Sequence, residues 1–332
     1  MVEATYMGTA SRNLYIQTDV NRFAGDMIIN KGSQERLNPT FGAITYGRSI
    51  GVANSNLAAF SISKHFTHGW TAHGIYTYGK SLDYTSSNDN DNGNGGAENI
   101  LDAQHPDAQY GRANFDSRQR FSADLAWDLP GFRNGIAHAI TSGWTLAPII
   151  ILQSGQPFTV NNGTTPFSPV WNNASCATTL TSSCQVVGNT GGDYNADGFL
   201  YDIPNAPAPG SVHTGSRSDF LAKFVNGNLV NTGFAVASAF PIPALGREGN
   251  LGRNVYDGPG FAVVNTTVER TFKLHMLGEA GVFELRGEFF NLFNRVNLTN
   301  PTSDVGQPAT VFGFSQGQST PRQIQVAAHI RF

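Results

Sequence analysis

Residues 322–332 alternate between two sets of side chains without a break up to a terminal phenylalanine, and no other feature constrains the chain more. Arg322, Ile324, Val326, Ala328, Ile330 and Phe332 fall on one face of an extended chain. Gln323, Gln325, Ala327, His329 and Arg331 fall on the other. A period of two predicts a β-strand with one apolar and one polar face, because a helix would scatter the same positions around its circumference. Arg322 interrupts the apolar series only at its edge, where a long stem lets the charge snorkel into a polar layer.

Composition bears on what that apolar face meets. Charged residues make up 14% of the chain, well under the roughly 25% of soluble globular domains. Aromatics reach 11%, with 23 Phe, yet mean hydropathy is only -0.23. No apolar run approaches the roughly 18 residues that a membrane helix needs. The longest stretch, 146–152, contains Pro148. A transmembrane antiparallel β-barrel reconciles these numbers, since only alternate residues face lipid and the rest line a wet lumen. A secreted, glycine-rich β-sandwich produces similar totals. The net charge of -3 gives no basic field for nucleic acid.

The alternation recurs. In 120–129, Phe121, Ala123, Leu125, Trp127 and Leu129 oppose Arg120, Ser122, Asp124, Ala126 and Asp128, and Pro130–Gly131 stops the strand. In 281–294, Phe283, Leu285, Gly287 and Phe289 oppose Glu284, Arg286, Glu288 and Phe290. Three charges on one strand face suit a hydrated lumen or a solvent face better than a sandwich core. Further strands are expected at 4–18, 49–66, 70–83, 143–153 and 261–275, for about nine or ten in all, each near the membrane-spanning length of about nine to eleven residues. Thr67-His68-Gly69 reads as a tight hairpin turn, and 273–281 as the turn before the penultimate strand. Trp70, Ala72, Gly74, Tyr76 and Tyr78 share a face with aromatic ends, as an interfacial girdle requires; an ordinary aromatic core is the alternative.

The connections are uneven. Several are tight turns, whereas about 85–115 and 159–260 far exceed the usual 4–6 residues. Outer-membrane barrels have this asymmetry, with short turns on the periplasmic side and long loops outside. Cys176 and Cys184 lie together in a Ser/Thr/Asn-rich stretch, which fits a local loop disulfide in an oxidising compartment or two reduced thiols. The N-terminus shows no basic and apolar export signal, so the chain is expected to be the back portion of a longer exported protein.

Few constellations carry chemistry. Asp193, Asn195, Asp197 and Gly198 have the D-x-N-x-D-G spacing of a calcium loop, in which alternate oxygens converge on one cation. The twelfth position is Pro204 rather than glutamate, which excludes an EF-hand, but Asp202 can supply a further oxygen. A turn-rich loop uses the same residues for Asx-turns. Residues 88–99 are polar and low in complexity, a mobile surface loop or a weak calcium site through Asp89 and Asp91. The glycines of 246–260 are read as serving turns and close backbone approach. Same-strand carboxylates such as Asp124/Asp128 and Glu284/Glu288 lie about 13 Å apart at roughly 3.3 Å per residue. That is too far for a glycosidase pair, and nothing anchors an enzyme reading.

Seven segments together resemble the C-terminal barrel of TonB-dependent outer-membrane receptors, in particular the Oar-like group with an N-terminal carboxypeptidase-regulatory-like domain. They are YMGTASRNL from Tyr6, YTYGKSL from Tyr76, FDSRQRF from Phe115, GWTLAPIIILQSGQPF from Gly143, NVYDGPGF from Asn254, RGEFFNLFN from Arg286 and the terminal strand. The resemblance implies a 22-stranded barrel closed by an N-terminal plug that the inner-membrane TonB complex pulls, for uptake of a ligand bound outside. The chain would then be the barrel's C-terminal part, 1–332, with plug, TonB-contacting segment and early strands outside it. An adhesion or surface-binding barrel without transport is the alternative, and a secreted glycan-binding β-sandwich the second. Phe121, Leu125, Trp127, Phe283, Leu285 and Phe289 are expected to face lipid, phospholipid or lipopolysaccharide. Arg120, Asp124, Glu284, Arg286 and Glu288 are expected to face the lumen. The resemblance also makes Ile330 and Phe332 part of the signal read by the barrel-assembly machinery.

Overall fold

The computed structural model describes residues 1–22, 25–29, 36–67, 69–86, 105–131, 135–163, 165–274, 276 and 281–332. Eight long strands carry the fold: β1 (Val2–Asp19), β2 (Thr45–Thr67), β3 (Trp70–Asp83), β4 (Gln119–Asp128), β5 (Trp144–Gln153), β6 (Phe261–Lys273), β7 (Val282–Phe290) and β8 (Gln323–Arg331). Each pairs antiparallel with its neighbour in chain order. A two-residue strand, Gly111–Arg112, adds to β3 and makes the sheet nine-stranded. The eight segments with clear alternation all form strands, but the expected nine or ten spanning strands are not reached among the described residues. Gly111–Arg112 is too short to cross a bilayer. Among these residues no pairing joins β1 to β8, so the sheet is an open arc and not a closed barrel. No described helix is long and apolar enough to cross a membrane.

The register carries the two-faced pattern across the whole sheet. Ile62 lies opposite Gly74, which lies opposite Ala123, which lies opposite Ile150. Val268 lies opposite Gly287, and Gly287 opposite Val326. Cross-strand partners share a face, so these residues and their i±2 neighbours form one continuous apolar surface. Glu269 opposite Arg286 and Glu284 opposite His329 belong to the other, polar face. Strand β7 stops at Phe290, short of the expected 294, because Asn291 and Asn294 take left-handed backbone angles, φ 51° each, and turn the chain.

The two ends of the sheet differ. At one end β2–β3, β4–β5 and β6–β7 are joined by connections of 2, 15 and 8 residues, each shorter than any at the other end, and the longest of the three holds a seven-residue helix, Gly135–Thr141. At the other end the long connections emerge, and β1 and β2 continue past the tip of β3 as a two-stranded ribbon.

The long connections are not structureless, as their length and polarity suggested. Residues 157–260 and 291–322 pack into a module around Phe158, Val160, Ile203, Phe220, Phe234, Ala235, Phe240, Leu251 and Phe312. Phe234 is its centre, fully buried, with ring centroids of Phe158 and Phe312 at 5.0 and 5.3 Å. The Phe158 ring meets it edge-to-face and the Phe312 ring is tilted, and aromatic pairs at such distances add about 0.5–1.5 kcal/mol each beyond burial. Sequence periodicity could not reveal this core, because its phenylalanines sit on irregular backbone with no regular spacing. A disulfide joins Cys176 to Cys184 across a short 3-10 turn at the module's edge.

Candidate calcium site in the loop module

Within the module, residues 193–202 wind tightly on themselves. Asp193 accepts hydrogen bonds from the amides of Asp197 (3.2 Å) and Gly198 (2.7 Å). Asn195 Oδ1 accepts from Asp197 N at 3.0 Å, and Asp197 Oδ1 from Phe199 N at 2.6 Å. Asp202 Oδ2 closes the loop by accepting from Asn195 N at 2.8 Å. Ala196 and Gly198 have φ of 60° and 79°, left-handed values that fold the carboxylates back over their own backbone. The Asx-turn geometry kept open by the spacing is therefore realised.

The surroundings are unusual for a turn. Asp193, Asn195, Asp197 and Asp202 are all buried, Asp193 and Asp202 completely. Glu248 enters from 53 residues away, with Oε1 accepting from Asn195 Nδ2 at 3.1 Å and Oε2 from Ile203 N at 2.9 Å. The arginine Arg22, in the β1–β2 connection, donates to the Asp197 carbonyl. Met27 N donates to Ala196 O at 2.9 Å, and the two side chains pack with Phe167. Burial pushes Asp193 up to about 6, with amide hydrogen bonds and Arg22 pulling the other way. Burial and the neighbouring Asp193 push Asp197 up to about 8. Burial, then Glu248 and Asp197, hold Asp202 well above the ordinary carboxylate range. Buried like charges disfavour ionisation, and the Glu248 carboxyl shares a side-chain hydrogen bond with Asp202 that favours its protonated form.

Oxygen donors without enough positive charge around them suit a hard cation such as calcium. Among the described residues, however, no three Asp, Glu, His or Cys side chains are grouped so as to hold a metal. The oxygens point onto amides instead, and a cation would have to draw them off. Neither Glu248 nor Arg22 was legible as part of the site, because each is far away in sequence and lies in no motif. The second, weaker calcium candidate, Asp89 and Asp91 in 88–99, lies outside the described residues.

A latch ties the module to the sheet. The Arg253 guanidinium, fully buried, pairs with Asp83 at the end of β3, donates to the Asp83 carbonyl at 2.8 Å and reaches Gln109 O at 3.2 Å. Asn254 Nδ2 donates to Arg112 O at 2.7 Å, and Arg112 bridges Asp116 and Asp257 at 2.7 Å each. These contacts explain the 246–260 stretch. Beside them Gly155 and Gly258 cross so closely that a Cβ on Gly155 would lie 1.8 Å from the Gly258 carbonyl oxygen.

The polar face of the sheet carries Arg120 and Asp124 on β4 and Glu284, Arg286 and Glu288 on β7. Two strands separate these groups, so they do not form one site. Arg286 lies 2.6 Å from Glu288, Arg331 3.3 Å from Glu284, and His73 3.4 Å from Asp124. Pairs of this kind sit directly beside an apolar face that runs the whole width of the sheet. Such an arrangement is soluble only where one face meets lipid and the other water.

A family model described as an outer membrane beta barrel domain matches residues 1–325. The chain belongs to that family. A search of curated proteins found no match. Membership places this β-barrel protein in the outer membrane, and the rule of short periplasmic turns and long outer loops orients it. The module then sits at the cell surface and the three short connections at the periplasmic rim. Phe121, Leu125, Trp127, Phe283, Leu285 and Phe289 all lie on the apolar face, and Ile330, opposite Phe283, continues it at the periplasmic end of β8, with Phe332 one residue beyond the strand.

Proposed function

We propose that this outer-membrane β-barrel chain is the barrel portion of a TonB-dependent receptor of the Oar-like kind, taking up a ligand captured at the cell surface. The observation that carries the reading is a folded, disulfide-stapled surface module latched onto the rim of a barrel whose polar face is lined with paired charges. A loop that only closed a barrel would need neither a core nor a buried arginine latch. The ordered resemblance of seven segments to that receptor group supports the same reading. Coupling would pass through an N-terminal plug region contacting TonB, and Ile330 and Phe332 would serve the assembly machinery. Calcium at Asp193, Asn195, Asp197, Asp202 and Glu248 would stiffen the module on the ligand side.

Cross-linking in intact cells tests the reading. The protein expressed from its own gene should give a covalent adduct with TonB, as a known receptor does in the same cells. No adduct beside a positive control would leave an adhesion barrel as the better account. For calcium, millimolar Ca²⁺ in place of chelator should protect 190–204 from proteolysis, and identical cleavage would remove the metal from the proposal.

A further inference from the structure

The apolar face of the sheet is not evenly filled. Between Trp70, Phe121 and Ile62 the floor drops to Ala72, Gly74 and Ala123, leaving a groove of about 410 Å³ with almost no polar lining. The small residues are cross-strand neighbours, Gly74 opposite Ala123, so the depression crosses β3 and β4. Lys64 stands at its mouth, exposed, with its ammonium 4.1 Å from the centre of the Trp70 ring.

The mouth lies at the periplasmic rim. Trp70 faces Trp127 in the register, and Trp144 stands one pair further out, with the Arg270 guanidinium 5.5 Å from its ring. Three tryptophans within one pair of the same level on one face suit the membrane–water interface, where the indole ring bridges hydrocarbon and headgroups. From the Trp70 level to the Phe121 level, where Phe121 pairs with Tyr76, is six residues along β3. At about 3.3 Å each and a tilt of about 45°, that is roughly 14 Å of depth, close to half of the roughly 30 Å hydrocarbon core.

We propose that this groove binds one glycerophospholipid of the periplasmic leaflet, an acyl chain lying against Ala72, Gly74 and Ala123 and the phosphate paired with Lys64. A groove as deep as one leaflet, apolar over nearly all its surface and with Lys64 at its mouth, matches the shape and charge of that molecule; His73 and Asp124 also line it, but they alternate with Gly74 and Ala123 and pair with each other on the polar face. The aromatic ring under Lys64 holds the ammonium at headgroup level, where an ion pair with phosphate is partly desolvated. Lipopolysaccharide occupies the opposite leaflet, at the end where the surface module sits, and does not reach this mouth. The inference rests on the outer-membrane barrel and holds whether or not the protein transports.

Native mass spectrometry of the full chain, extracted from outer membranes in mild detergent, tests it. Wild type should retain one phospholipid per chain. Lys64→Glu, at an exposed position, and Ala123→Leu, which fills the floor, should each lower retention about tenfold, the loss expected for one charge-assisted contact. Lys80→Glu, on the same face at the opposite end of β3, should leave it unchanged. Heat-dependent mobility on gels identifies folded variants, and if Ala123→Leu does not fold, Lys64→Glu alone decides. No retained phospholipid in wild type, equal retention in folded Lys64→Glu, or lipopolysaccharide bound in its place would each overturn the proposal.

Discussion

The sheet and the surface module use the same apolar side chains against different solvents. In the module, Phe220, Phe234 and Phe312 are at most 2% exposed and pack on one another, as in any water-soluble domain. On β8, Ile324, Val326 and Ile330 are 56%, 75% and 57% exposed, and they touch few side chains. An exposed apolar surface running across eight strands would aggregate in water, so lipid must complete it. The difference teaches where each region stores its stability. The module depends on close packing and is sensitive to lost volume, whereas the sheet depends on backbone pairing and on transfer of side chains into hydrocarbon.

The largest test of that difference removes the centre of the module. Phe234→Ala should cost about 3–5 kcal/mol through lost transfer energy and a cavity. The readout is protease sensitivity of 157–260 in detergent-solubilised protein, with the barrel's heat-dependent gel mobility unchanged. Collapse of both together would mean that the latch at Arg253 and Asp83 makes module and sheet one cooperative unit.

The next compares the two faces of the sheet. Val264→Arg, on β6 opposite Ile150 and six residues from Arg270 at the tryptophan level, places a charge on the apolar face and should cost roughly 2–4 kcal/mol near the bilayer midplane. Ser122→Arg, on the polar face, should change stability by less than about 0.5 kcal/mol. Urea unfolding in vesicles measures both, and equal costs would sink the assignment of faces.

How far the sequence carried differs between the same two regions. Each of the eight long strands among the described residues was legible, though the count of nine or ten was too high, because lipid on one side and water on the other imposes a strict period of two. The paired faces of β4 and β7 could be read residue by residue. The module was not legible as a fold. Its core residues, Phe158, Phe220, Phe234, Phe240 and Phe312, are spread over more than 150 residues of irregular chain and obey no period. The calcium candidate was half legible. The spacing from Asp193 to Asp202 marked the loop, while Glu248 and Arg22 come from distant segments that only the tertiary fold brings near.

The last test separates the module's packing from its charge. Asp193 has its carboxyl raised from 3.8 to about 6, chiefly by burial, and Asp197 reaches about 8. A carboxyl whose value is higher in the folded state binds its proton more tightly there than when unfolded. Stability is therefore greatest below the unfolded value, and it falls as pH rises through the folded one. For Asp193 the shift from 3.8 to about 6 is at most about 3 kcal/mol, lost over that window, and Asp197 extends the decline towards pH 8. In chelator, proteolytic protection of 190–204 should accordingly be weaker at about pH 8 than at about pH 5. Calcium binds the ionised oxygens, so adding it should raise protection mainly at the higher pH and flatten the slope. Protection that instead rose with pH in chelator would mean these carboxylates are better compensated than their burial and neighbours indicate. It would also make the loop a turn held by amides alone.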